Sequence, residues 1–144
     1  MSIEITASLK ELRLFTVSEK YIEIAQKCSV EKVNHLEYLR RLVDMEIEQR
    51  YHKKIKRLMK QSRLPRRKSI ADFDTTRLPH ITKDTVSTLV RGEFIDRAGN
   101  LLIFGNPGTG KTHLAIALTQ EWCSGGRKVL FISAAELIQD LIKA

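Results

Sequence analysis

An octapeptide in the last third of the chain reads Gly105-Asn106-Pro107-Gly108-Thr109-Gly110-Lys111-Thr112. Its spacing is Gly, four residues, Gly-Lys and then Ser or Thr, which is the Walker A or phosphate-loop pattern. Glycines allow positive φ angles and let backbone N–H groups approach a phosphate closely. The pattern therefore predicts a site for nucleotide phosphates, in which Lys111 reaches the β- and γ-phosphates and the Thr112 hydroxyl ligates Mg²⁺.

The residues around this loop predict a strand, a helix and a second strand. Apolar residues fill positions 101–104 and most of 128–133, as is typical of strands buried on both faces. Residues 112–123 between them can form a helix, and Ser133 is expected to cap a helix that follows the second strand. A strand–helix–strand unit requires a parallel sheet. The expected fold class is α/β, with an incomplete phosphate-loop core of two parallel strands behind an α-helical N-terminal domain.

A long helix is predicted upstream, from Asn34 to Ser62. Asn34 or Ser29 can cap its start, and Pro65 disfavours its continuation. Apolar residues recur along it at steps of three or four, the period of one helix face: Leu36, Leu39, Val43, Ile47, Tyr51, Ile55 and Leu58. This stripe could pack on one or two shorter helices nearer the N-terminus or on a partner protein, and both possibilities stay open.

These patterns predict three segments. Residues 1–64 form a helical N-terminal domain, residues 65–80 a linker without a sustained period, and residues 81–144 the phosphate-loop domain. Within the last segment, Thr82 is expected to cap a helix that runs to Arg91 and ends at Gly92.

Positive charge is concentrated in one stretch. Residues 40–68 contain twelve basic and three acidic residues, a net charge of +9, whereas the whole chain carries +8. From Arg50 onward this stretch holds no acid for the i,i+4 pairs of an ordinary exposed helix. A DNA partner is therefore favoured over a solvated helix face. The candidate DNA-binding residues are Arg50, Lys53, Lys54, Lys56, Arg57, Lys60, Arg63, Arg66, Arg67 and Lys68.

Length and composition exclude other classes of protein. The 144 residues allow one modest domain with an appendage, not a large multidomain machine. No apolar run approaches the roughly 20 residues that span a bilayer, and no leader is recognisable, so a cytoplasmic location without membrane contact is expected. Cys28 and Cys123 show no disulfide or zinc-ligand spacing.

Hydrolysis needs an acidic residue at a strand end to hold Mg²⁺ and to orient water. The acids after Thr112 are Glu121, Glu136 and Asp140, and all three fall in helical patterns. The sequence therefore predicts nucleotide binding without efficient turnover, and no catalytic residue is assigned.

The chain resembles the IstB-like ATP-binding proteins. The resemblance rests on Arg63-Leu64-Pro65-Arg66-Arg67-Lys68-Ser69, on Asp72-Phe73-Asp74 and on residues 101–118, and it covers essentially the whole chain. These proteins are transposition helper ATPases of insertion sequences, relatives of the DnaC helicase loaders within the AAA+ class. The resemblance implies an ATP-binding core that guides a transposase to DNA, homo-oligomers among full-length relatives, and Phe73 lying against the adenine.

Full-length members of this family continue through a Walker B strand, sensor residues and an arginine finger. The chain is accordingly expected to be a C-terminally truncated member. Two alternatives remain besides an ATP-binding helper. One is a non-catalytic module that binds DNA or transposase and ignores ATP, and the other is the remnant of a DnaC-like helicase loader. A small-molecule kinase is disfavoured by the basic helix.

Overall fold

The computed structural model describes residues 2–65, 70–73 and 81–143. The chain divides into two compact units, Met1–Lys54 and Ile55–Ala144, called here the N-terminal and C-terminal units. The division falls within the long helix. The predicted domain limits at residues 64 and 81 stay a prediction. Of the predicted linker 65–80, residues 66–69 and 74–80 lie outside the described residues.

The N-terminal unit contains α1 (Ser2–Glu11), α2 (Phe15–Glu31) and most of α3 (His35–Gln61). The buried apolar core that joins these helices is small. Partly buried residues pack around it, among them Leu9 of α1 and Tyr38 of α3. The core itself consists of Val17, Ile24, Cys28 and Leu42.

The predicted bounds of α3 are confirmed to within one residue at each end. Asn34 caps its start, since the Asn34 Oδ1 accepts the backbone N–H of Glu37 at 2.8 Å. At the other end, Ser62 is buried and its hydroxyl donates to the Met59 carbonyl at 2.7 Å. The helix therefore begins and ends where local side-chain chemistry predicts.

The apolar stripe of α3 is covered only in part by its neighbours. Leu36 is 77% exposed and Ile47 60% exposed, whereas Leu42, beside the stripe, is 5% exposed. Leu39, Val43 and Ile47 line one wall of an open apolar groove of about 380 Å³ in the N-terminal unit. The helix thus packs through one edge of its apolar face.

The C-terminal unit is built around α6 (Lys111–Ser124), with α4 (Lys83–Arg91), α5 (Glu93–Asp96) and α7 (Ala134–Lys143). α6 supplies most of the buried side chains, and α4 packs against it. The indole N–H of Trp122 donates to the Leu89 carbonyl at 3.0 Å, which fixes these two helices together. The buried apolar residues that α6 contributes are Leu114, Ile116, Ala117, Leu118 and Cys123.

The predicted ends of α4 are confirmed. The Thr82 hydroxyl accepts the backbone N–H of Thr85 at 3.1 Å, and Gly92 ends the helix in the left-handed region with φ +67°. An added Cβ at Gly92 would lie 3.0 Å from the Trp122 Nε1. A side chain here would therefore meet both backbone strain and the indole.

The predicted parallel sheet is wrong. The described residues contain no strand, and residues 101–104 and 128–133 are irregular. Leu102 is 75% exposed, Phe104 84% and Leu130 57%, so these runs are not buried on two faces. The backbone N–H of Phe131 donates to the Ser62 carbonyl at 2.7 Å instead of to a strand. An apolar run becomes a strand only when a neighbouring strand pairs with it. The two runs do not pair with each other.

The prediction that Ser133 caps α7 is confirmed. The Ser133 N–H donates to the Glu136 Oε2 at 3.0 Å, and the Glu136 N–H donates to the Ser133 Oγ at 3.2 Å, a reciprocal capping box. The hydrogen bond from the Ser133 N–H holds the pKa of Glu136 below its ordinary value.

Candidate functional site

The glycine-rich loop lies directly before α6. Gly108 and Gly110 take positive φ angles of +80° and +87°, a region that side chains rarely adopt. No atom lies within 4 Å of a Cβ built on Gly108, so the loop opens into free space there. Gly110 precedes α6 without a side chain that could cap the first N–H groups of the helix. The loop therefore leaves the positive end of α6 accessible to an anion.

Lys111 folds back over this loop. Its Nζ donates to the carbonyls of Gly105 at 2.7 Å and Asn106 at 2.6 Å, and it lies 3.4 Å from the Thr109 hydroxyl. The Thr109 hydroxyl donates to the same Asn106 carbonyl at 2.8 Å. These bonds hold the ammonium group above the loop backbone. The loop, its lysine and the helix start are thus assembled into one positively charged concavity.

The other predicted residues of the loop are also placed here. Pro107 is exposed at the turn of the loop, and Thr112 is exposed in the first turn of α6. The described residues contain no cluster of His, Cys, Asp or Glu that could hold a metal ion by itself. The Thr112 hydroxyl is an oxygen ligand of the kind that Mg²⁺ accepts.

Phe73 lies beside the loop. Its Cε2 is 3.5 Å from the position that a Cβ on Gly110 would occupy. Its ring meets the His113 ring edge-on, with centroids 5.6 Å apart and planes at 76°. The structure thus brings Phe73 and the glycine loop together, although 32 residues separate Phe73 from Gly105 in sequence.

Phe73 lines two pockets, called here the smaller and the larger hollow. The smaller, of about 40 Å³, lies against the loop and is also lined by Thr109, Gly110 and Lys111. The larger has a volume of about 390 Å³, within the range of small-molecule sites. Its lining is mainly apolar: Ile70, Ala71, Phe73, Val86 and Val90, with Lys83 and Ser87 as the polar members.

Sequence reasoning missed two parts of this region. Val86 and Val90 of α4 line the larger hollow, and the spacing of four between them was a usable signal for one helix face. The contact between His113 and Phe73 had no such signal, because a histidine in a helix pattern does not show which distant ring it meets.

The candidate DNA-binding residues follow the second half of α3. Lys54, Lys56, Arg57 and Lys60 are exposed and make no ion pair within the described part of the chain. No acid follows Glu48 in this helix, whereas acids and bases pair in its first half, as Arg40 does with Asp44 at 3.5 Å. The second half of α3 therefore presents excess positive charge to solvent.

Three candidate cations already have partners. Arg50 donates to the Glu46 carboxylate at 2.9 Å and to the Arg13 carbonyl at 2.7 Å. The Lys53 Nζ lies 6.0 Å from the centre of the Phe15 ring, a cation–π distance. Arg63 pairs with Asp140 at 3.6 Å. The remaining candidates, Arg66, Arg67 and Lys68, lie outside the described residues.

None of the helices in the described part of the chain is long and apolar enough to cross a membrane.

Comparison with known proteins identifies the family. The IstB-like ATP binding protein family matches residues 7–144, and the chain belongs to this family, which confirms the resemblance seen in the sequence. A relative from Geobacillus stearothermophilus, named "Insertion sequence IS5376 putative ATP-binding protein", is 38% identical over 133 residues, covering 92% of this chain and 53% of the relative. "Insertion sequence IS21 putative ATP-binding protein" of Pseudomonas aeruginosa is 33% identical over 141 residues, covering 98% and 53%. The chain spans about half the length of these curated relatives.

Proposed function

We propose that the chain binds ATP with Mg²⁺ through residues 105–112 and serves as an ATP-binding helper in DNA transposition. The observation that carries this proposal is the loop itself, in which positive-φ glycines and Lys111 surround the start of α6. Membership of the IstB-like ATP binding protein family supports the choice of ATP among nucleotides.

Each loop residue has a defined task in this proposal. The first N–H groups of α6 and of the loop point to the phosphates, whose negative charge the helix dipole also favours. Lys111 exchanges its bonds to the Gly105 and Asn106 carbonyls for bonds to phosphate oxygens. The Thr112 hydroxyl is the protein ligand of Mg²⁺, which neutralises part of the triphosphate charge when bound. Gly108 leaves the space that the phosphates need.

Phe73 places the base in the larger hollow. This hollow is mainly apolar, has about 390 Å³ of volume and shares Phe73 with the smaller hollow against the phosphate loop. A base that stacks on the outer face of Phe73 would keep its phosphates within reach of Gly110. The wall of the hollow formed by Val86 and Val90 excludes water from the opposite face of the base.

Efficient hydrolysis is not part of the proposal. Glu136 is engaged as the cap of α7, and Asp140 pairs with Arg63. Glu121 lies nine residues along α6 from Thr112, roughly 13–14 Å away, so none of the three acids is placed to orient water at Thr112. The chain is expected to bind MgATP and to release it largely unchanged.

Titration of a fluorescent ATP analogue with Mg²⁺ into the chain, Lys111→Ala and Lys128→Ala tests this proposal. Lys128 is exposed in the same unit, in the segment between α6 and α7. Lys128→Ala is the matched control, because it also removes one positive charge. We expect saturable binding to the chain and to Lys128→Ala, and a loss of at least about tenfold in Lys111→Ala, since charge-assisted hydrogen bonds contribute about 1.5–3 kcal/mol. Equal binding by all three proteins would contradict the proposal.

A second proposed function is DNA contact by α3. It is favoured by four exposed cations that make no ion pair with any described residue, namely Lys54, Lys56, Arg57 and Lys60. Arg57 and Lys60 lie three positions apart, so they share one side of the helix and can both reach a phosphate backbone. The transposase of the same element is proposed as a further partner.

Fluorescence anisotropy with a labelled DNA duplex tests this contact. The double variant Arg57→Ala/Lys60→Ala is compared with Lys20→Ala/Lys27→Ala on α2, whose lysines pair with Glu23 at 2.8 Å. Each lost phosphate contact reduces the slope of log affinity against log salt by about 0.9. We therefore expect the α3 variant to lower the slope by nearly two, and the α2 variant to leave it unchanged. Equal slopes would contradict DNA contact through α3.

The same assay separates the helper from a module that ignores ATP. A helper binds DNA more tightly with MgATP, and Lys111→Ala removes this increase. A DNA-binding module gives the same affinity with and without MgATP and with either residue at position 111.

A further inference from the structure

His113 and Phe73 form the one aromatic contact that the described residues place beside the glycine loop. His113 belongs to the first turn of α6, two residues after Lys111. Its backbone position is therefore fixed by the helix start that also shapes the loop. The ring is half-buried and its neighbour Leu114 is 2% exposed, so the turn that carries it is well packed.

Phe73 has less local support than His113. It lies outside the helices, and its backbone N–H donates to the Ile70 carbonyl at 3.1 Å in a turn. Its ring meets the His113 ring edge-on, and its Cε2 lies 3.5 Å from the position that a Cβ on Gly110 would occupy. The edge-to-face geometry between the two rings is the one that aromatic pairs prefer.

We infer that His113 is a positioning residue for nucleotide binding, which holds Phe73 as the wall between the phosphate loop and the cavity for the base. This inference rests on the proposed function. Without the edge contact, the Phe73 ring can turn into the hollow of about 390 Å³ that it now borders, because the turn at Ile70 does not fix its side chain. The phosphate loop does not depend on His113, since its internal bonds come from Thr109 and Lys111.

Loss of the His113 ring should affect the binding affinities of two ligands differently. ATP uses both the loop and the cavity, whereas inorganic tripolyphosphate uses the loop alone. His113→Leu keeps a side chain of similar bulk but removes the aromatic edge, so it is expected to weaken ATP binding by roughly 2- to 10-fold. Its affinity for tripolyphosphate should stay within about twofold of the wild-type value. His113→Phe restores an aromatic edge and should bind ATP as the wild-type chain does.

Isothermal titration of the full chain with each ligand in the presence of Mg²⁺ tests this. His52→Leu, an exposed histidine on α3, is the matched control and should change neither affinity. Wild-type ATP affinity in His113→Leu, or an equal loss for both ligands, would overturn the role of His113 and leave the proposed function intact. A wild-type chain that binds neither ligand would overturn the proposed function and the inference with it.

Discussion

Replacing Glu46 by alanine is expected to destabilise the N-terminal unit by about 2–5 kcal/mol. The Glu46 side chain is 7% exposed, although it is charged. Its Oε2 accepts the backbone N–H groups of Thr16 at 2.8 Å and Val17 at 3.2 Å, and its Oε1 accepts the Arg50 Nε at 2.9 Å. A carboxylate on α3 thus caps the start of α2, which has no side-chain cap of its own.

The expected change in the free energy of unfolding follows from these contacts. Loss of a helix cap costs about 0.5–2 kcal/mol, and loss of a hydrogen bond to a charged group about 1.5–3 kcal/mol. In Glu46→Ala the Arg50 guanidinium keeps only its bond to the Arg13 carbonyl at 2.7 Å. Glu46→Gln retains one oxygen acceptor but no charge, so about half of the loss is expected.

The same carboxylate gives a pH dependence. Burial raises the pKa of Glu46, but hydrogen bonds from Arg50, Val17 and Thr16 outweigh burial and hold it below the ordinary value. Its contribution is therefore complete above the pKa of the unfolded chain, about 4.3, and is lost as the pH falls through the lower folded value. In Glu46→Gln this part of the acid destabilisation should be absent.

Urea unfolding followed by circular dichroism, with amide hydrogen exchange at Thr16 and Val17, measures these effects. Glu48→Ala is the control, because Glu48 lies on the same helix with 71% of its side chain exposed. We expect a change within about 0.5 kcal/mol for Glu48→Ala. A change below about 0.5 kcal/mol in Glu46→Ala, with unaltered exchange at both amides, would contradict the capping of α2 by Glu46.

Three further predictions concern the C-terminal unit. Gly108→Ala meets no atom within 4 Å, so its cost is the backbone strain at φ +80°, about 1–2 kcal/mol, and its methyl group should weaken ATP binding in the fluorescence titration. Leu118→Ala empties a fully buried site and should cost about 2–5 kcal/mol in urea unfolding; a smaller change would contradict its place in the core. Arg127 lowers the pKa of Asp96 through a hydrogen-bonded ion pair, so Arg127→Gln should raise that pKa in an NMR titration, and an unchanged value would disprove the pairing.

Local chemistry was sufficient to predict both ends of α3, α4 and α6 and the start of α7, whereas it gave no bounds for α1 and α2 and did not predict α5. The apolar period gave α3 to within one residue, and the caps at Asn34, Thr82 and Ser133 are where oxygen side chains precede a helix. α6 begins and ends within one residue of its predicted bounds. Each of these features depends on residues within a few positions of one another, which a sequence shows directly.

Features that depend on distant partners were not predictable in this way. The apolar runs around Leu102 and Leu130 have strand composition, but no strand lies beside either in the described residues. Charge along α3 was visible, and the i,i+4 spacing of Glu46 and Arg50 was a usable signal for their ion pair. The bond from Arg50 to the Arg13 carbonyl had no such signal, because 37 positions separate the two residues. The meeting of Phe73 with His113 is a tertiary contact of the same kind.

Hydrogen exchange of the chain with and without MgATP locates nucleotide binding on the molecule. Binding of MgATP through the glycine loop should slow exchange in peptides that cover Gly105 to His113 and Phe73, and no such change is expected in Lys111→Ala. Unaltered exchange across the glycine loop at saturating MgATP, or protection confined to the N-terminal unit, would contradict it.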